Sequence, residues 1–204
     1  MSPHNTSGPN GNKTPFYNSK FQSLYYGWVI VGVVFFTEFI AGGVGGMILP
    51  LFFKPMSESL GWSLTQLTGA ITAQTLAYVA IAPLLGTLLD RLGARIIMTF
   101  GAITAGIGLI LLTQVEEVWQ FWLLYAFIGA LGLHEMGGFT GTVVIAKWFV
   151  RLRGRAIAIA TLGTTIGGAI MAPVIGVLIA TIGWRQTWGL MGVTLLVLVV
   201  PIIV

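Results

Sequence analysis

From Leu24 to Val204 the chain alternates long apolar stretches with short polar breaks. The stretches run to roughly 20–30 residues, the length a tilted helix needs to cross a hydrocarbon core of ~30 Å. This pattern predicts six membrane-spanning helices, at about 24–52, 64–89, 95–114, 119–148, 155–181 and 185–204. Ser63 followed by Gln66 reads as a capping box opening the second helix, and Pro50 as the close of the first. Residues 1–23 are rich in Asn, Ser, Pro and Gly without an apolar period, the composition of a disordered tail that cannot offset its ordering entropy by burial. The tail has no apolar segment of the signal-peptide kind, so the first span reads as a retained helix. The fold class expected is an all-α membrane protein.

Composition excludes the main alternatives. Of 204 residues, 56% are hydrophobic and 8% charged, and mean hydropathy is +0.92, against a globular norm of about 25% charged. No water-soluble surface can be built from this chain, so soluble enzymes and nucleic-acid binders drop out and the partner is the lipid bilayer. Zero cysteines remove disulfide frameworks, thiolate metal sites and Cys nucleophiles. The pI near 9.7 reflects basic residues whose positions matter more than their sum. Lys13 and Lys20 lie in the tail, Arg91 and Arg95 after the second span, and Lys147, Arg151, Arg153 and Arg155 after the fourth. Only Lys54 and Arg185 fall on the opposite side. The positive-inside rule then places the N-terminus in the cytoplasm of a plasma or inner membrane. The sequons at Asn5 and Asn12 fall on the unglycosylated side and read as chance.

The break after the second span reads Gly86-Thr87-Leu88-Leu89-Asp90-Arg91-Leu92-Gly93-Ala94-Arg95. Gly86 permits close helix approach, Asp90 suits a helix cap or an Arg partner, and Gly93 supplies a tight turn. The stretch resembles the G-x-x-x-D-R-x-G-R-[RK] signature of the major facilitator superfamily, departing from it at Ala94, where the family has a base. Tyr26-Gly27-Trp28, Leu60-Gly61-Trp62-Ser63, and Trp148-Phe149 through Arg153-Gly154-Arg155-Ala156 resemble its monocarboxylate and oxalate/formate branch. The resemblance runs from Tyr26 to Val204 and corresponds to the first six of the family's twelve helices. It implies an N-terminal six-helix bundle built as a 3+3 inverted repeat. It also implies secondary active transport of a small organic solute by alternating access, as proton symport of a monocarboxylate-like anion, with neither enzymatic activity nor a cofactor. Asp90, Arg91 and Arg95 would form a cytoplasmic latch with Gly86 and Gly93, and a missing C-terminal half or a second copy would complete the machine. Gly168, Pro173 and Gly176 partly echo the glycine-proline motif of drug–proton antiporters, but Ala172 and Ile159 stand where that motif has glycine. Gly163-x-x-x-Gly167, with Pro173 beyond it, reads first as a helix-packing face.

Three ionisable residues lie far from any break: Glu38 in the first helix, and His134 with Glu135 in the fourth. An acid at the centre of a spanning helix costs roughly 2.5–3.5 kcal/mol on insertion scales, so such residues face protein or water and are functional by default. In the fold that the sequence resembles, the first and fourth helices line the central cavity, which would place all three where substrate and protons bind. Glu38 shares a helix face with Gly42 and Gly45, whose small side leaves room for a ligand or a neighbouring helix. A carboxyl there can take a proton when open to one side and release it on the other, with His134 tuning the exchange. The structural alternative is an ion pair between Glu38 and protonated His134 that fixes the first helix against the fourth. His134-Glu135-Met136-Gly137-Gly138 begins like an H-E-x-x-H zinc site, but Gly138 stands where the second imidazole belongs, so no metal is expected. The visible acids also suit a cation or drug moved by proton antiport, because no Lys or Arg stands at their depth to pair with an anion. A six-helix scaffold or sensor without transport, its basic loops binding anionic lipid, is the reading of another class. Trp184, Trp188 and Arg185 read as an interfacial anchor.

Overall fold

The computed structural model describes residues 16–45, 47–149 and 152–203, with side-chain surroundings for residues 27–198 outside 135–137 and 139 among them. Their regular structure is helical throughout. The elements are α1 (Phe16–Val44), α2 (Leu49–Leu60), α3 (Leu64–Leu92) and α4 (Ala94–Leu111), the last running into a 3-10 turn at Leu112–Gln114. They continue as α5 (Val118–Phe127), a π-helical segment (Ile128–Gly138), α6 (Phe139–Trp148), α7 (Arg153–Ile182) and α8 (Trp184–Ile203). Among the described residues, four stretches are long and apolar enough to cross a membrane by length and composition: Gly27–Leu60, Leu64–Leu92, Ala94–Gln114 and Arg153–Ile182.

Several boundaries differ from the sequence expectation. Helix α1 starts at Phe16, inside the stretch expected as tail, and residues 1–15 of that stretch lie outside the described residues. It stops at Val44, where the Gly45 amide closes the last turn on the Ala41 carbonyl at 2.8 Å. Pro50 opens α2 instead of closing α1: its missing N–H falls in the first turn, where an amide would have no helical acceptor. Helix α2 lays Leu49, Phe52 and Met56 into the core and ends at Gly61, whose φ of 70° is the left-handed conformation glycine adopts without strain. The capping box at Ser63 forms as read, with the Gln66 amide donating to Ser63 Oγ at 3.3 Å and the Ser63 amide to Gln66 Oε1 at 2.8 Å. The fourth pass is helical from Val118 to Trp148, but its middle third is π-helical.

The two halves of the chain share a motif. Ala82-Pro83-x-x-Gly86, then Gly93-x-Arg95, recurs with the same spacing as Ala172-Pro173-x-x-Gly176, then Gly183-x-Arg185. The turn glycines share one backbone geometry, φ 83° and ψ 159° at Gly93 against φ 84° and ψ 161° at Gly183. Part of the packing follows the same symmetry, α1 lying along α7 as the α5–π–α6 pass lies along α3, while α4 packs on α8 and equally on the π segment. With an odd number of passes in each half, the second copy runs through the bundle in the opposite sense, which is an inverted repeat.

Two apolar clusters pack the bundle. One gathers Phe52, Trp62, Phe121, Tyr125 and Trp188, with the Phe52 and Trp188 rings stacked at 3.8 Å. Trp188 is fully buried and Trp184 nearly so, its indole donating to Ser59 Oγ at 3.0 Å, so these two rings seal the bundle end and do not form the interfacial belt expected of them. Arg185 donates to the Thr113 carbonyl at 2.7 Å, joining α8 to the turn after α4. The other cluster holds Val31, Val34, Ile145, Phe149, Ala156 and Ala160.

Between the clusters, α1 and α7 meet almost backbone to backbone. A Cβ on Gly42 would run into the Thr164 main chain, one on Gly163 into the Phe35 carbonyl, and one on Gly167 into the Phe39 carbonyl. In lipid no hydrophobic force drives helices together, so this close van der Waals approach is what holds the pair. Gly167→Ala is therefore expected to destabilise the bundle by about 1–3 kcal/mol, since a carbonyl cannot yield as a side chain does. Gly32→Ala, with open space at its Cβ, is expected to be neutral or to stabilise by up to about 1 kcal/mol through helix propensity. Unfolding of the purified protein in detergent, followed by helical circular dichroism, compares the two.

Candidate functional site

Along α1, Glu38 falls between Val34, which belongs to one apolar cluster, and Ala41, which belongs to the other. On α7, Thr164 likewise falls between Ala160 and Ile175. Along α1 and α7, Glu38 and Thr164 thus lie where one apolar cluster gives way to the other. Glu38 is 4% exposed. Its Oε2 accepts a hydrogen bond from Thr164 Oγ1 at 2.6 Å, at the short end of the range for such bonds. Its Oε1 is buried and has no partner among the described residues. That oxygen faces the end of the π segment, where a Cβ on Gly138 would stand 3.8 Å from it.

His134 sits elsewhere. Its ring lies against Tyr78 of α3, with centroids 4.3 Å apart and planes at 31°, and it is half-buried. One turn earlier in α3, Gln74 packs its amide against the Gly129 backbone. The π segment therefore touches Glu38 with one end and carries His134 against α3 on another face. Among the described residues Glu38 and His134 form no ion pair, and each has a different neighbour. The side chain of Glu135 lies outside the described residues. Gly42 and Gly163 give their space to the neighbouring helix, not to a ligand, and Gly45 lies against Leu133. Pro173 is on the exposed side of α7.

At the end of α3, Asp90 lies within the helix, and Gly93 serves as N-cap of α4 without a side-chain bond. The cap role expected of Asp90 is not taken up, because the left-handed Gly93 already turns the chain. Asp90 Oδ1 instead meets Lys147 Nζ at the end of α6, at 3.3 Å. Arg91 and Arg95 point outward, exposed. No described atom comes within 4 Å of a Cβ built on Gly86, so within this bundle it does not serve the close approach expected of it.

Thr164 and Tyr78 were not singled out by sequence reasoning. Thr164 stands inside Gly163-x-x-x-Gly167 and was absorbed into a packing face; a hydroxyl one residue from that glycine stripe was the available signal. Lys147 was read as a topology charge on the same side as Asp90, which already placed the two at one end of the bundle.

The sequence profile of the Major Facilitator Superfamily matches residues 34–204. Multidrug resistance protein MdtG of Yersinia enterocolitica is 33% identical over 149 residues, covering 70% of this chain and 34% of that protein. MdtG of Dickeya zeae is 31% identical over 185 residues, covering 86% and 42%. Monocarboxylate transporter 2 of Homo sapiens is 24% identical over 171 residues, covering 84% and 35%. The chain spans 34–42% of the length of these relatives. With the profile matched from within α1 to the end of α8, the chain belongs to the major facilitator superfamily, whose members move small molecules across membranes.

Proposed function

We propose that this bundle supplies the proton site of a secondary active transporter that moves a small organic solute by alternating access. The observation that carries this reading is the Glu38 carboxyl, buried, with one oxygen bonded to Thr164 and the other without a partner among the described residues. A site closed so tightly between α1 and α7 admits a proton and excludes an organic solute. The solute then belongs on the more open side, where His134 and Tyr78 present two polar rings in contact, with Glu135 second in line. The N-terminus faces the cytoplasm on this reading, from the distribution of basic residues. Asp90 and Lys147, with Arg91 and Arg95 beside them, form a latch that holds the cytoplasmic ends of α3 and α6 together in one state and releases them in the other. A second bundle, either the corresponding half of a longer protein or another copy, completes the translocation path.

A monocarboxylate-like anion moved by proton symport is favoured by the branch resemblance and by the similarity to monocarboxylate transporter 2. Proton antiport of a cation or drug is the second reading. It is favoured by the MdtG proteins and by the lack of a Lys or Arg at the depth of Glu38 and His134. Uptake and efflux of a panel of labelled carboxylates and cationic dyes by the complete protein in proteoliposomes separates the two.

In either direction, Glu38→Gln is expected to flatten the pH dependence of transport. It is also expected to lower proton-driven flux by about tenfold or more, equivalent to ~1.4 kcal/mol or more in the barrier. An unchanged rate and pH profile at equal expression would remove the reading. The latch makes a separate prediction. The Asp90–Lys147 pair is largely exposed, and such pairs contribute about 1 kcal/mol or less, so Asp90→Asn should move Tm by under about 4 °C while reducing flux. The charge swap of Asp90→Lys with Lys147→Asp should recover flux, as measured by initial rates in the same proteoliposomes.

A further inference from the structure

Several helical threonines in this protein keep their hydroxyls on their own helix. Thr68, Thr75, Thr161 and Thr181 each donate to the carbonyl four residues earlier, at 3.0, 2.8, 3.0 and 2.9 Å. This is the ordinary fate of a threonine inside a helix. Thr164, less than one turn beyond Thr161 on the same helix, turns its hydroxyl across the interface and donates to Glu38 Oε2 at 2.6 Å. A hydroxyl has one hydrogen to give, so the bond to Glu38 replaces the bond to its own helix. The glycines explain why it can reach. Gly42 lies against the Thr164 main chain, while Gly163 and Gly167 lie against the segment from Phe35 to Phe39. The position of the donor is thus set by two backbones in contact, not by a long mobile side chain.

We propose that Thr164 is a positioning residue for Glu38: it holds Oε2 in both protonation states, so that the proton is taken up and given back at Oε1 alone, on the side facing Gly138 of the π segment. The proposal rests on the reading of Glu38 as the proton site. The step moves one proton between Oε1 and water admitted from one side or the other, and no other bond changes. When Oε1 carries the proton, Oε2 is the carbonyl oxygen of a neutral acid and still accepts from Thr164. When the proton leaves, the same hydroxyl stabilises the carboxylate. Without it both oxygens would be free, and neither the point of exchange nor the rotamer of Glu38 would be defined.

Few other charges face this carboxyl. Within residues 27–45 of α1, Glu38 is the sole ionisable group. Helix α7 carries Arg153 and Arg155 in its first turn, remote along the helix. The π segment carries His134, which lies against Tyr78, and Glu135. In α6 Lys147 is held by Asp90, and in α8 Arg185 is held by the Thr113 carbonyl. Thr164 is therefore the described polar group in direct contact with the site.

The test is infrared difference spectroscopy of the complete protein in lipid, titrated with acid. The protonated-carboxyl C=O band of Glu38 is identified as the band that Glu38→Gln removes. In Thr164→Val, which keeps the shape and removes the hydroxyl, the band should shift in frequency and its titration midpoint should be displaced by about one pH unit, tenfold in proton affinity. Thr164→Ala, which only vacates space, should do the same if the valine variant fails to fold. Thr164→Ser, which keeps the donor, should match the parent protein. A Glu38 band indifferent to valine and alanine, or moved as far by serine as by valine, would overturn the proposal and leave Glu38 as the proton site. Failure to find any band that Glu38→Gln removes would end the proton-site reading, and this proposal with it.

Discussion

The close approach of α1 and α7 is the constraint on which the middle of this bundle depends. Lipid offers these helices no hydrophobic reward for association, so their contact must come from surface match, and Gly42, Gly163 and Gly167 supply that match by removing the side chains that would separate the backbones. One consequence is mechanical, a helix pair locked at mid-height. The other is chemical. The same approach brings a hydroxyl on α7 within 2.6 Å of a buried carboxyl on α1, between residues of the two apolar clusters. A buried acid is costly wherever water is excluded, and here one oxygen is bonded by Thr164 while the other has no partner among the described residues.

Much of this arrangement is legible in the chain, because the signals are strong or local. Long uncharged stretches mark the spanning passes, Ser63 and Gln66 mark a helix start by reciprocal bonds, and Gly93 marks a turn only glycine makes comfortably. The packing role of Gly163 and Gly167 is also readable from their spacing. What escapes notice lacks a pattern. The π segment at Ile128–Gly138 differs from an α-helix in hydrogen-bond register, which leaves no trace in apolar period. Helix α2 is separated from α1 by a short turn inside one apolar run, and Pro50 is equally consistent with ending one helix or starting the next. Trp188 looks interfacial by residue type, yet Phe52 of α2 covers it. The expected cluster of Glu38 with His134 joined two residues at one depth, but depth does not specify azimuth, and the bundle turns them to α7 and α3 respectively.

The repeated Ala-Pro-x-x-Gly motif, with its turn glycines in one conformation, shows two copies of a three-pass unit diverging in charge. Asp90 and Arg91 have Ala180 and Thr181 as their counterparts, so the backbone turn is kept at both ends while the Asp90–Lys147 ion pair belongs to one. On the reading developed above, the shared geometry serves folding and the unshared charge serves gating. The separation of Glu38 from His134 follows the same logic: a tight site suited to a proton and a more open ring pair suited to a solute occupy different faces of one π segment.

The measurement that bears most directly on this account compares uphill accumulation with solute exchange in the complete protein. A labelled solute that the protein carries would be followed under an imposed pH gradient and, separately, in counterflow with the gradient collapsed. If Glu38 carries the coupling proton, Glu38→Gln loses accumulation against the solute gradient and retains counterflow, since the neutral amide imitates the protonated state. Accumulation that persists in Glu38→Gln at the parent level would contradict the account.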